Sequence, residues 1–292
     1  MHLRFAILVR GTDVCRWETA LSVTHLVQRL TSRPQTLPSK LRVLDLCTGT
    51  GCTSLLFRHV FRQQGGTEMT RLSITGIDLS QAAIDLANRN IRRQGSPTIK
   101  LDADSINFIR ANIMDEHPQS TAMEISTGAP DLFTALKSDH AAENANLEYP
   151  ILISNPPYVS AEDFMRKTEF SVRRFEPKLA LVPSPSYATT SVDNADVFYP
   201  RLLTIADRVN AKAIMFEVGD IKQARRVAKL VRDKITMTPW KGIEIWNDQP
   251  TLNDDSGHSL APDPIITRVN VRGNGKARSV FAYRDVGEKW FG

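Results

Sequence analysis

Long apolar runs are missing from this chain. No stretch approaches the roughly 20 residues that a membrane-spanning helix needs, so no helical span is expected. Cysteine is scarce: Cys15, Cys47 and Cys52 are odd in number and have no CxxC spacing, which excludes a disulfide framework and points to small buried residues in a reducing compartment. The six histidines do not cluster at ligand spacing, and no metal site is expected. Blocks of like charge are absent. The net charge of +5 comes from interspersed residues such as Arg166-Lys167 and Arg225-Arg226, which read as solvated helix faces. RNP-like, zinc-finger and basic-zipper patterns are lacking, so no nucleic-acid module is expected. No internal repeat is present. With 41% apolar residues over 292 positions, the chain can bury a full core in one large domain or two small ones.

What is present is a short apolar run, Ile151-Leu152-Ile153-Ser154, followed by Asn155-Pro156-Pro157-Tyr158. The run reads as a buried strand. The tetrapeptide has the groups needed to hold a flat, weakly nucleophilic nitrogen. Such an NH2 has its lone pair delocalised, and it needs acceptors for its N–H groups and a surface for its plane. The Asn155 side-chain oxygen and the Pro156 carbonyl can be two acceptors. Pro156 and Pro157 lock φ and remove competing donors, and Tyr158 offers an aromatic face. A strand ending in a plain proline turn explains the same four residues in isolation.

A second segment narrows the choice. Leu41 to Cys52 reads as strand, glycine turn and helix start, with Asp45, Cys47, Thr48, Gly49, Thr50 and Gly51 at the turn. Gly49 and Gly51 would let the backbone approach a ligand where a Cβ would clash. A helix is expected from about Thr53 to Arg62. The spacing does not fit the GxGxxG of nicotinamide-binding turns. The next strand, Leu72 to Ile77, ends in Asp78, placed to take both hydroxyls of a ribose. Leu79 follows, with Ser80 as N-cap of a helix from Gln81 to Asn90. Strand, glycines, helix, strand and acid, then Asn-Pro-Pro-Tyr, is the layout of an S-adenosylmethionine methyltransferase acting on nitrogen.

Four segments resemble one family, the HemK/PrmC-type glutamine N5-methyltransferases of peptide chain release factors, and especially their fungal mitochondrial members. These are Cys15 to Thr19, Asp45 to Gly51, Asn155 to Tyr158, and Arg174-Phe175-Glu176-Pro177-Lys178-Leu179-Ala180-Leu181. The last distinguishes the family from DNA adenine methyltransferases, and the likeness runs roughly from Val9 to Arg284. It implies an α/β fold: a seven-stranded, doubly wound, Rossmann-like class I sheet with a terminal antiparallel strand pair. It implies S-adenosyl-L-methionine as cofactor, held by Asp45, Cys47, Thr48, Gly49, Thr50, Gly51, Asp78, Leu79, Asn112 and Asn155, with Asp115 as the alternative to Asn112 at the adenine. Asn155, Pro156 and Tyr158 would be catalytic. Asn155, Pro156, Pro157, Tyr158, Arg16 and Glu18 would bind the substrate, the glutamine of a release factor's Gly-Gly-Gln loop. No direct nucleic-acid partner and no membrane are expected, and a mitochondrial location is favoured over a cytoplasmic one. Two rivals remain at this point: an adenine N6-methyltransferase, and a degenerate relative that binds without turnover.

The expected organisation is a short N-terminal segment, residues 1–40, without the family's helical front domain. A methyltransferase domain over 41–292 follows, with a surface loop insertion at 116–148. Met1 to Cys15 reads either as a weak presequence or as a first strand at Phe5–Val9. Helices are expected at Glu18–Leu30, Asp131–Lys137, Asp193–Asn210 and Ile221–Asp233. A loop is expected over Val159–Tyr187, a fifth strand at Ala213–Val218, and a final strand pair at Trp240–Trp246 and Ser279–Tyr283. Glu176 is either a loop anchor or a substrate contact.

Overall fold

The structure is a computed structural model that describes residues 16–65, 67–93, 104–115, 128–139, 147–166, 168–187, 194–251 and 269–292. Cys15, the strand expected at Phe5–Val9 and much of the 116–148 insertion lie outside the described residues.

The described residues begin with α1 (Trp17–Leu30), β1 (Lys40–Leu46), α2 (Cys52–Gln63), β2 (Arg71–Asp78), α3 (Gln81–Arg93) and β3 (Ser105–Arg110). They continue with α4 (Leu132–Asp139), β4 (Ile151–Ser154), α5 (Ala161–Arg166), α6 (Phe170–Phe175), α7 (Phe198–Arg208) and β5 (Ala213–Glu217). They close with α8 (Ile221–Asp233), β6 (Lys241–Gln249), β7 (Asn270–Arg272), β8 (Asn274–Tyr283) and α9 (Gly287–Phe291). Among the described residues the strands form one sheet in the order β3-β2-β1-β4-β5-β8-β6-β7. β1 to β5 run parallel, and β8 runs antiparallel to both β5 and β6. The doubly wound sheet with its antiparallel pair is as expected. The eighth strand, β7, adds a short parallel edge beside β6. It has three residues and a mostly exposed face, so no apolar alternation marked it beforehand.

Side-chain alternation splits the core into two layers. Leu152, Leu44, Leu46, Ile214 and Phe216 face α4, α7 and α8. Ile151, Ile153, Leu41, Val43, Ala213 and Met215 face α1, α2 and α9. The central strands are therefore buried on both faces, which explains why they read as continuous apolar runs rather than as alternation. α8 starts at Asp220, whose carboxylate accepts the Gln223 N–H at 2.8 Å, an N-cap bond. Ser80 caps α3 in the same way, its Oγ accepting the Ala83 N–H at 3.3 Å.

Two expectations are corrected. The segment expected to be surface insertion contains α4, which buries Leu132, Phe133, Ala135 and Leu136 and serves as the crossover helix from β3 to parallel β4. Parallel strands of one sheet need such a crossover. The helix itself matches the one expected at Asp131–Lys137; what its polar flanks did not announce is its burial against the sheet. The loop expected at Val159–Tyr187 contains α5, α6 and two 3-10 turns, Lys178–Ala180 and Pro185–Tyr187. These helices are too short to show a periodic pattern.

Leu152 sits in the middle of β4 with no exposed surface. Leu152→Ala is expected to lower the unfolding free energy by about 2–5 kcal/mol in urea denaturation. A loss under about 1 kcal/mol would show that β4 is not part of the cooperative core.

Candidate active site

The register of four parallel strands brings the predicted residues together. Leu46 pairs with Ser154 across β1 and β4, Leu46 with Ile77 across β1 and β2, and Ser154 with Phe216 across β4 and β5. The next residues along each strand therefore form a row: Asp78, Cys47, Asn155 and Glu217. Neighbouring strands lie about 4.8 Å apart, so Asn155 leaves the sheet one strand spacing from the glycine turn and two from Asp78. The strand order reverses between β1 and β4, and the crevice beyond the strand ends at such a switch point is where open α/β sheets bind ligands. Ser154 ties the two ends directly, its Oγ donating to the Leu46 carbonyl at 2.8 Å.

The turn after β1 is held from beneath. Asp45 is 1% exposed, and its Oδ2 accepts from Thr48 Oγ1 at 2.7 Å and Ser54 Oγ at 2.6 Å. The Thr48 N–H donates to the Ile77 carbonyl, and Asn90 Nδ2 donates to the Thr50 carbonyl at 3.0 Å. Thr48 and Thr50 are both buried. Asp45, Thr48 and Thr50, expected among the residues that hold the cofactor, are thus buried and shape the turn from within.

The two glycines have separate jobs. Gly49 has φ +54, and a Cβ on it would meet nothing within 4 Å, so it borders open space. Gly51 has φ +75, and its Cβ would lie 2.4 Å from the Phe108 ring. Its smallness serves packing rather than a ligand. Cys47 adopts φ 58 without being glycine, a conformation that a non-glycine residue holds only when its surroundings impose it.

Asp78 is partly exposed at the end of β2. Its Oδ2 accepts the Gly49 N–H at 2.9 Å and its Oδ1 the Ser80 N–H at 2.8 Å. Burial raises its pKa against the pull of those backbone bonds. Leu79 is partly exposed beside it. Asn112 is 3% exposed, its Oδ1 accepts the Met114 N–H at 3.0 Å, and Tyr187 bonds its side chain. This is strand-end turn chemistry rather than a free acceptor for an adenine, whereas Asp115 stays partly exposed.

Asn155 is half-buried, and among the described residues its carboxamide has no hydrogen-bond partner. Pro156 is buried and Pro157 partly so. Tyr158 is held at three points: its hydroxyl donates to Glu217 Oε1 at 3.1 Å, its carbonyl accepts from Gln223 Nε2 at 3.2 Å, and its ring lies against Gly219. Arg16 pairs with Glu176 at 3.5 Å, which joins the start of α1 to the Glu176-Pro177 segment and favours the anchor reading of Glu176. Glu18 lies in the first turn of α1, partly exposed. Thr19 is buried and donates to Glu217 Oε2 at 2.6 Å.

Glu217 and Gln223 were missed by sequence reasoning. The signal for Glu217 was an acid between Phe216 and Val218 in an otherwise apolar strand. Gln223 left none, because its role depends on which loop lies above α8.

No family model matches the chain. Among curated proteins, the probable MRF1 mitochondrial N(5)-glutamine methyltransferase of Schizosaccharomyces pombe is 30% identical over 273 residues, covering 90% of this chain and 70% of that protein. The chain belongs to the N5-glutamine methyltransferase family. The mitochondrial MRF1 N(5)-glutamine methyltransferase of Saccharomyces cerevisiae is 25% identical, covering 76% of this chain and 55% of its own length. The release factor glutamine methyltransferase of Chlorobaculum tepidum is 28% identical over 167 residues, 57% of this chain and 44% of that one. The chain thus spans only about half the length of these two relatives. Likeness to solved structures is looser. The hMettl16 catalytic domain in complex with an RNA hairpin aligns with TM-score 0.43 at 13% identity, over 94% of this chain and 71% of that one.

Burial lifts the Asp45 carboxyl from its ordinary 3.8 to about 6, against the two hydroxyl bonds that pull it down. In this window the folded state keeps a proton that the unfolded chain releases, so Asp45's contribution to stability falls as pH rises from 3.8 to about 6. Asp45→Asn removes that dependence. Denaturation of both proteins at stepped pH should show the wild-type-minus-variant stability difference falling through this window, and a constant difference would contradict the assignment.

Proposed function

We propose that this chain methylates the side-chain amide nitrogen of the glutamine in the Gly-Gly-Gln loop of a peptide chain release factor, with S-adenosyl-L-methionine as methyl donor. The observation that carries the reading is the strand register that sets Asn155 one strand spacing from the open glycine turn. Family membership supports the reaction class.

The residues present fit the cofactor. Gly49 borders open space, the Asp78 carboxylate stands partly exposed at its end of the row, and Cys47 lies between Asp78 and Asn155. Asp78 would hold the ribose hydroxyls and Gly49 would lie against the methionine portion, with Leu79 and Asp115 toward the adenine. The cofactor supplies an electrophilic methyl on a sulfonium. The protein binds, orients and excludes water.

Asn155 Oδ1 and the Pro156 carbonyl would accept the two N–H bonds of the glutamine amide. That turns its nitrogen lone pair toward the turn, and the Tyr158 ring flanks the amide plane. Alignment of this kind contributes several kcal/mol of barrier lowering. No strong base is required, because the amide nitrogen loses its proton once it carries the methyl. Arg16 and Glu18 would stand at the rim, where a protein loop would enter.

The names of the two yeast relatives, mitochondrial MRF1 N(5)-glutamine methyltransferases, support a mitochondrial location, and the name of the Chlorobaculum tepidum relative supports a release factor as the substrate. Among the described residues no helix is long and apolar enough to cross a membrane.

Mass spectrometry of a mitochondrial release factor, incubated with the protein and cofactor, should show one added methylene on the Gly-Gly-Gln glutamine. Asn155→Ala should lower turnover roughly 100-fold or more while cofactor affinity stays within about threefold. Near-normal turnover by the variant, or an unmodified glutamine with the wild type, would refute the proposal.

A further inference from the structure

We infer that Glu217 is a positioning residue for methyl transfer: its buried carboxylate joins the Tyr158 hydroxyl to Thr19 of α1 and so fixes the aromatic plane and the acceptors beside it. The inference rests on the function proposed above and adds a residue to it.

Glu217 ends β5 one strand over from the catalytic segment and is 3% exposed. Both oxygens are used, Oε1 by Tyr158 at 3.1 Å and Oε2 by Thr19 at 2.6 Å. Its backbone carbonyl accepts the Tyr199 hydroxyl at 2.9 Å. Among the described residues Glu217 has no direct ion pair: Arg278 and Arg16 favour its charged form from a distance, but Arg278 bonds Asp248 at 3.0 Å and Arg16 pairs with Glu176. A carboxylate buried without a direct ion pair is an expensive way to stabilise a strand end, and an apolar side chain of similar size would serve the fold as well or better. What the carboxylate provides is direction. It presents two acceptors at once, and each orders a different part of the site.

The effect reaches Asn155 through the backbone. Pro156 and Pro157 have locked φ angles, so Asn155 and Tyr158 are joined by a stiff link. Gln223 holds the Tyr158 carbonyl and Gly219 receives its ring. Glu217 closes the remaining freedom by anchoring the hydroxyl at the far end of the ring. Because Thr19 shares the carboxylate, α1 is keyed to the same point and the rim residues Arg16 and Glu18 are registered against the site.

The experiment compares wild type with E217L, E217Q, T19V, Y158F and the double variant E217L/Y158F. It measures kcat and KM for a release-factor domain, cofactor Kd by calorimetry, and the flip rate of the Tyr158 ring by NMR with ring-labelled tyrosine. E217L should lower kcat roughly 10- to 100-fold with cofactor Kd within about threefold. E217Q keeps an acceptor for the hydroxyl and should recover to within about threefold of wild type. E217L should cost under about twofold more in the Y158F background, because the two residues act through one bond. The Tyr158 ring should flip faster in E217L, and T19V should fall between wild type and E217L. Additive losses, an unchanged ring in E217L, or full kcat in E217L would each overturn the inference. Absence of methyl transfer by the wild type would refute the proposed function, while the ring measurement would still decide whether Glu217 holds Tyr158.

Discussion

The hydrogen-bonded register of β2, β1, β4 and β5 is the constraint on which the site depends. It aligns Ile77, Leu46, Ser154 and Phe216, so the residue after each becomes a member of one row at the carboxyl edge. A slip of one residue in β4 would exchange Leu152 for Ile151 and Ile153 between the two core layers. The apolar burial that fixes the core therefore also fixes where Asn155 leaves the sheet. Stability and site geometry are here the same set of contacts.

Two buried carboxylates refine that geometry, and they do so in parallel ways. Asp45 collects two hydroxyls and holds the glycine turn, while Glu217 collects two hydroxyls and holds Tyr158 and α1. Burial raises the pKa of both, against the hydroxyl bonds that lower it. In each case a polar group spends free energy of burial to orient short loops that have little apolar surface of their own. Such loops have few other means of adopting one conformation.

The N-terminal helix belongs to the same body as the sheet. α1 packs Val23, Leu26, Val27 and Leu30 into the core layer that also contains Phe281, Trp246 and α9. Arg29 bonds Glu244 at 2.8 Å and the Phe291 carbonyl at 2.8 Å, tying α1 to β6 and the last helix. Thr19 then reaches the site from the other end of α1. A helix that precedes β1 thus links the closing strand pair to the Asn155–Tyr158 segment.

The main elements were legible in the sequence because their signals are local: apolar runs for β1, β2, β4 and β5, helical spacing for α1, α2 and α8, and glycine and proline for the turns. Asn155, Gly49 and Asp78 could be proposed for the same reason, since the chemistry each would supply is carried by its own side chain or lack of one. The direction of a side chain is not local. Whether Gly51 faces a ligand or Phe108 depends on which strand lies alongside, and whether Thr48 turns toward Asp45 and Asn112 toward the Met114 N–H depends on the turn each strand end adopts in the folded sheet. Glu217 marks the boundary: its sequence announces a buried acid, but its partners, Thr19 and Tyr158, lie 198 and 59 positions away; Tyr158 meets it because parallel β4 and β5 end at the same edge, and Thr19 because α1 packs on the sheet.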